Sequence, residues 1–272
     1  MVFSRFVSIT LLLIYFVPSS TFAAKQNPYI FSIVPQQTAI KTVKIWKPIL
    51  KRLEMETGYK FQLHTSKDIP TFEKGLENSL VDFSYMNPYH YTVFHEKSGY
   101  NAICKAKDKK IKGIIVVKKD SPITSVEMLK AQKLTFPSAA FAANILPREY
   151  LTKINLPFES KYVNSHDTVY RTVAHGFTDA GGGVMRTFKN ADPGVKKRLR
   201  ILWTSEGYTP HAIAAHKRVP DDLVKKVQQE LMALDGDMEG KIMLQRMKIK
   251  GFVSAENKDW DDVRALNLTE LK

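Results

Sequence analysis

Apolar residues recur along this chain in short blocks whose period changes from block to block. Residues 29–34 form a β-rich apolar run closed by Pro35-Gln36-Gln37. Val43, Trp46, Ile49, Leu50 and Leu53 then fall at helical spacing, which predicts a helix over 39–57 with Gly58 as its stop and a kink at Pro48. A strand over 60–64, a helix over 70–79, a strand over 81–85 and a helix over 89–97 follow. This β-α-β-α-β-α order implies a parallel sheet covered by helices on both faces. Ligands in such sheets bind beyond the carboxyl ends of the strands. Here those ends are Pro35-Gln36-Gln37, the loop over 66–68 and Tyr85-Met86-Asn87.

A long β-rich strand over 111–119 and a short helix near 125–129 lead into a second series. It comprises a strand over 134–136, a turn of small residues, and a helix opening near Ala140. A strand at 162–163, a helix over 166–176 and strands over 179–183 and 200–203 complete it. Residues 212–216 read as a further extended segment. Helices over 221–234, 236–246 and 256–266 close the chain. No internal repeat or low-complexity linker interrupts this order. The pattern predicts two α/β lobes joined by a two-stranded hinge near residues 115 and 212. The expected division is 24–115 for the first part of lobe one, 116–211 for lobe two, and 212–272 for the return to lobe one.

Residues 1–23 stand apart from this pattern. Arg5, the apolar run 6–17 and Thr21-Phe22-Ala23 read as a secretory signal peptide cleaved after Ala23. The run is short for a membrane span. Export to the periplasm as a soluble protein is the expectation. The single cysteine, Cys104, sits in an apolar strand-like run, so no intramolecular disulfide forms and packing alone must hold the fold.

The chain carries 41 Lys+Arg against 27 Asp+Glu, a formal net charge of +14. The basic residues are dispersed, with short clusters at 105–112 and 196–200. Nucleic-acid binding would call for a basic helix or an aromatic-interleaved stripe, and neither is present. The excess charge reads mostly as a solvated basic surface and, through the overall field, favours small anions.

Candidate chemistry concentrates at predicted helix starts. The small-residue turn Ser138-Ala139-Ala140-Phe141-Ala142 would leave free N–H groups at a helix N-terminus, an anion cradle. Ordinary strand–turn–helix packing accounts for the same residues equally. Ser165 is a good N-cap and Asp167 suits the positive helix end. His166 between them is left to donate to an oxyanion, or simply to be exposed. Gly181-Gly182-Gly183 permits close backbone approach, and Arg186 beside it carries a planar fork for a carboxylate or phosphate. Asn87, Tyr89 and Tyr91 follow a strand end, where tyrosines wall clefts or fill cores. Histidine pairs lie five apart (His90/His95, His211/His216), off the spacing that shares a helix face, so no metal site is expected. No nucleophile elbow, P-loop or His-Glu-x-x-His occurs, and neither catalysis nor a cofactor is expected.

Several segments in this order resemble one family. They are Phe31-Ser32-Ile33-Val34-Pro35-Gln36 with Trp46-Lys47-Pro48-Ile49-Leu50, and Val81-Asp82-Phe83 with Asn87-Pro88 and Tyr91. Ile115-Val116-Val117-Lys118-Lys119-Asp120-Ser121-Pro122-Ile123 and Leu134-Thr135-Phe136 follow. Ser165-His166-Asp167, Val173, Gly176 and Asp179-Ala180-Gly181 complete the set. Together they resemble the phosphate/phosphite/phosphonate-binding component of bacterial ABC importers. The resemblance implies a two-lobed periplasmic binding protein of the type II kind, a monomer closing on a small anionic ligand that it passes to a membrane permease. A related alternative is a ligand-sensing module that signals to a membrane receptor or kinase. In that family a Ser-Thr-Ser-Gly segment binds the phosphonate oxygens; Ala140-Phe141-Ala142-Ala143 stands there instead, so three hydroxyl donors are missing. His166 matches the family's ligand-binding histidine. With the strand-end and helix-start residues above, the candidate ligand residues are Gln36, Asn87, Tyr89, Tyr91, Ser138, Ala140, Phe141, Ala142, His166 and Arg186.

Overall fold

The computed structural model describes residues 27–138 and 140–269. The signal segment expected over 1–23 lies outside the described residues. From the N-terminus, β1 (Tyr29–Ile33), α1 (Ala39–Thr57), β2 (Phe61–Thr65), α2 (Ile69–Glu77), β3 (Phe83–Met86), α3 (Pro88–Ser98) and β4 (Tyr100–Ala106) follow one another. The next series is β5 (Gly113–Lys118), β6 (Lys133–Pro137), α4 (Leu146–Lys153), β7 (Glu159–Val163), α5 (His166–Ala174), β8 (Ala180–Val184), α6 (Met185–Lys189), α7 (Pro193–Lys197) and β9 (Leu199–Thr204). The chain ends on β10 (Ala212–His216), α8 (Asp221–Ala233), α9 (Met238–Met247), β11 (Phe252–Ser254) and α10 (Asp261–Arg264).

The strands form two mixed sheets flanked by helices. The first has the order β11-β4-β10-β3-β1-β2 and the second β7-β6-β8-β5-β9. Strands β2, β1 and β3 are parallel, as the β-α alternation requires, and so are β7, β6 and β8. The return strand β10 inserts antiparallel between β3 and β4, and β5 runs antiparallel to β8 and β9. The chain crosses between sheets twice, over 107–112 and 205–211. The two crossings are pinned by reciprocal backbone bonds, Ile111 N–H to Tyr208 O at 2.7 Å and Tyr208 N–H to Ile111 O at 2.9 Å. Residues 115 and 212 themselves lie inside β5 and β10, so the first crossing precedes the division expected at 115/116.

Local chemistry sets the element ends. Helix α1 starts on Thr38, whose side chain accepts from Lys41 N, and stops at Gly58, where φ is 77°. It runs through Pro48 without interruption and buries Trp46, Ile49, Leu50 and Leu53, whereas Val43 is exposed. Helices α2, α3 and α5 are capped by the side chains of Asp68, Asn87 and Ser165. The helix expected over 256–266 is instead a 3-10 turn (Asn257–Trp260) followed by the short α10. The helix expected to open near Ala140 begins as a π-helical turn, Phe141–Ile145, before α4. Strand β11, absent from the predicted elements, pairs with β4.

The π-turn is positioned by glycine. A Cβ on Gly182 would fall on the carbonyl oxygen of Ala143 and within 2.6 Å of Phe136 Cδ1, and one on Gly113 would meet the carbonyl of Ala142. Bare backbone in β5 and β8 therefore lets the turn lie flat on the second sheet. From there Phe141, Ala142, Ala143, Ile145 and Leu146 join the hydrophobic core of the first lobe, so the two lobes are in contact. Cys104 is buried and unbridged, and burial pushes its thiol up to about 12. No helix among the described residues is long and apolar enough to cross a membrane.

Candidate functional site

The carboxyl ends of β1, β3 and β8 come together at Arg186. It sits in α6, directly after β8, and its Nη2 donates to Oε1 of Gln36, just beyond β1, at 2.8 Å. Arg186 and Gln36 thus come from opposite lobes. A second inter-lobe contact joins Lys41 Nζ to Asp167 Oδ2 at 3.0 Å.

Around Arg186 stand three buried rings. His166, at the start of α5, is fully buried, and its Nδ1 lies 3.0 Å from Thr187 Oγ1. Thr187 Oγ1 also contacts the Tyr170 hydroxyl at 2.8 Å and the Val184 carbonyl at 3.0 Å. The Nε2 of His166 is buried with no hydrogen-bond partner. Burial, reinforced by the Arg186 charge, pulls its pKa down to about 3. His211 precedes β10, and its ring stacks on Tyr85 with centroids 4.8 Å apart and planes at 16°. Its Nε2 is likewise buried and unpartnered, and burial with Arg186, then His90 and His166, holds its pKa well below the ordinary histidine value. Tyr85, at the end of β3, packs on Trp46 at 4.9 Å, and burial raises its phenol pKa against an opposing pull from Arg186. In both rings burial disfavours the charged form, and one buried nitrogen has no hydrogen-bond partner. A buried polar atom without a partner is costly unless something enters to satisfy it.

A cavity of about 690 Å³ opens beside this cluster. Tyr85, Arg186 and His211 form part of its wall, together with the first crossing, the start of α6 and the C-terminal end of α9. No group of three or more His, Cys, Asp or Glu side chains arranged to hold a metal occurs among the described residues.

Of the residues expected from the sequence, Gln36, His166 and Arg186 are drawn into this neighbourhood. Only Arg186 of them is in the cavity wall; Gln36 and His166 stand beside it, and Ser138 and Ala140-Phe141-Ala142 are not in the wall either. The three residues 140–142 are 1–2% exposed, and Phe141 meets Tyr208 edge-on at 5.8 Å. Asn87 caps α3 by accepting from His90 N at 2.8 Å. Tyr89 is buried in the first core, and Tyr91 packs on Trp260 at 4.4 Å while its hydroxyl donates to Asn257. His166 proves to be a buried ring anchored to Thr187, not an exposed one. Sequence reasoning missed His211, considered only as a metal-spaced partner of His216. Its place in Thr209-Pro210-His211, at the end of a crossing just before a strand, is the signal that would have found it.

A family model described as "ABC transporter, phosphonate, periplasmic substrate-binding protein" matches residues 31–260. Among solved structures, the chain is similar to a binding-protein component of an ABC phosphonate transporter from Pseudomonas aeruginosa. The two share 18% identity at a TM-score of 0.83, over 89% of this chain and 86% of that one. A methylphosphonate complex from Prochlorococcus marinus matches at 19% identity and TM-score 0.80, covering 88% and 98%. A chloride-bound protein from Xanthomonas citri matches at 16% identity and 0.71, covering 88% and 95%. At these identities the structures speak for the two-lobed fold.

Proposed function

The chain belongs to the phosphonate periplasmic substrate-binding protein family of ABC transporters, and on that premise we propose that it captures a small phosphonate-like anion between its lobes. Arg186, His211 and His166 hold the anionic head, Gln36 orients the arginine, and Tyr85 walls the site. The lobes close about the paired crossings at 107–112 and 205–211. The loaded protein then docks in the periplasm on the membrane permease of an ABC importer. The observation that carries this reading is the pair of buried, unpartnered histidine nitrogens in the field of Arg186. An arginine fork supplies two charge-assisted bonds to a phosphonate, and neutral imidazoles supply one each. The family's hydroxyl triad is replaced here by buried apolar residues, so recognition shifts onto these groups.

Calorimetric titration with methylphosphonate tests it. Arg186→Ala is expected to lower affinity by about 1.5–3 kcal/mol, roughly ten- to a hundred-fold. Undiminished binding by that variant would place the anion elsewhere.

A further inference from the structure

One feature of the cavity is not needed to hold a single anionic head. Beyond Arg186 its wall carries Lys109 and Lys112 from the first crossing, Lys189 at the end of α6, Lys241 in α9 and Lys248 just after it. Among the described residues none of these five, nor Arg186, forms an ion pair with a carboxylate. Lys109 Nζ donates only to the Lys248 carbonyl. The single acidic residue in the wall, Asp108, lies 3.6 Å from Lys250. Other lysines of the same segments do find acidic partners: Lys107 pairs with Asp235 and Lys110 with Asp262. Lys107, Lys110 and Lys250 line the same cavity but are neutralised by these carboxylates, so the other five lysines carry its uncompensated charge. Burial, then Arg186 and Lys189, lower the pKa of Lys109, as expected of cations crowded without a counter-charge.

Size points the same way. About 690 Å³ falls in the ~300–1,000 Å³ range of sites for organic ligands of drug size. A one-carbon phosphonate held at Arg186 and His211 would leave most of that space empty and all five ammonium groups unanswered. Ammonium groups on flexible stems act as mobile point charges and suit an anionic tail of variable reach. A tail bearing an amine would meet like charge on every side.

We infer that the cavity selects a ligand with an anionic head and at least one further phosphate or phosphonate group on an extended tail, the lysine wall being the subsite for that tail. The assignment of the head to Arg186 and His211 rests on the function proposed above; the lysine subsite is a separate element and can fail separately.

Three probes decide it, each titrated calorimetrically at low ionic strength: methylphosphonate, aminoethylphosphonate and inorganic tripolyphosphate. Tripolyphosphate is expected to bind most tightly and aminoethylphosphonate most weakly. The double variant Lys109→Gln/Lys189→Gln should weaken tripolyphosphate roughly tenfold, the loss of two partly exposed charge pairs, and leave methylphosphonate unchanged. Lys197→Gln, a surface lysine on α7 away from the cavity, should change neither and controls for the overall charge. Tripolyphosphate binding no tighter than methylphosphonate, or insensitive to the double variant, would overturn the lysine subsite. Methylphosphonate binding that Arg186→Ala abolishes, beside weak tripolyphosphate binding, would leave the head site standing and remove only the subsite. Lysine-dependent tripolyphosphate binding without methylphosphonate binding would keep the subsite and remove the head site.

Discussion

His166 shows how one position can serve fold and site together. Ser165 caps its helix, Thr187 fixes one ring nitrogen, and the other is buried without a partner. Its pKa in the fold, about 3, lies below the ordinary value of 6.5 for a free histidine. The unfolded chain therefore binds a proton that the folded chain refuses. Stability from this site is complete above pH 6.5 and is lost as pH falls from there toward 3. His211 acts with the same sign. His166→Gln removes the titration and keeps a polar partner for Thr187. The wild-type melting temperature should fall more steeply between pH 7 and 4 than that of His166→Gln; parallel slopes would mean that the ring is not held neutral. The same variant should weaken methylphosphonate binding, since the glutamine amide does not reproduce the imidazole Nε2. The sequence marked His166 through its capping neighbours. It did not show burial, because the ring is enclosed by α6, an element with no sequence signal of its own.

At the level of elements, alternation was legible because parallel β-α units repeat a fixed order of apolar runs and amphipathic stretches. What escaped were pieces too short to show a period: β11, α6, α7 and the π-turn. The turn is the instructive case. Ala140-Phe141-Ala142 looked from the sequence like an emptied anion cradle awaiting its hydroxyls. In the fold these side chains are core, with Phe141 against Tyr208 and the turn's carbonyls laid on Gly113 and Gly182. Two consequences follow from packing. Phe141→Ala should cost about 3–5 kcal/mol, read as a lower urea midpoint at constant slope. Gly182→Ala should cost about 1–3 kcal/mol by overpacking. Restoring hydroxyls with Phe141→Thr would then destabilise the protein before it could help binding. Unchanged midpoints in both single variants would show that the turn is not packed as described.

For the whole molecule, two lobes could be read from the sequence because one α/β series ends before another begins. The convergence of charge could not. Lys109, Lys189 and the Lys241/Lys248 pair are far apart along the chain, and the dispersed basic residues become one wall only once β10 returns α8 and α9 to the first lobe. The same topology leaves two crossings joined through Ile111 and Tyr208, about which the proposed closure would turn. Besides the apolar contact of the π-turn with the first core, two polar contacts join the lobes: Arg186 to Gln36, and Lys41 to Asp167. Lys41 is 40% exposed, so its pair contributes at most about 0.2–1 kcal/mol to the closed state. Lys41→Ala should accordingly shift the closed-to-open ratio up to roughly fivefold toward open, without touching a ligand group. Small-angle scattering of the ligand-free variant should give a larger radius of gyration than the wild type, and saturating methylphosphonate should restore the compact value. Equal radii in all four samples would mean that the lobes do not move about these crossings, and the capture mechanism would have to be abandoned.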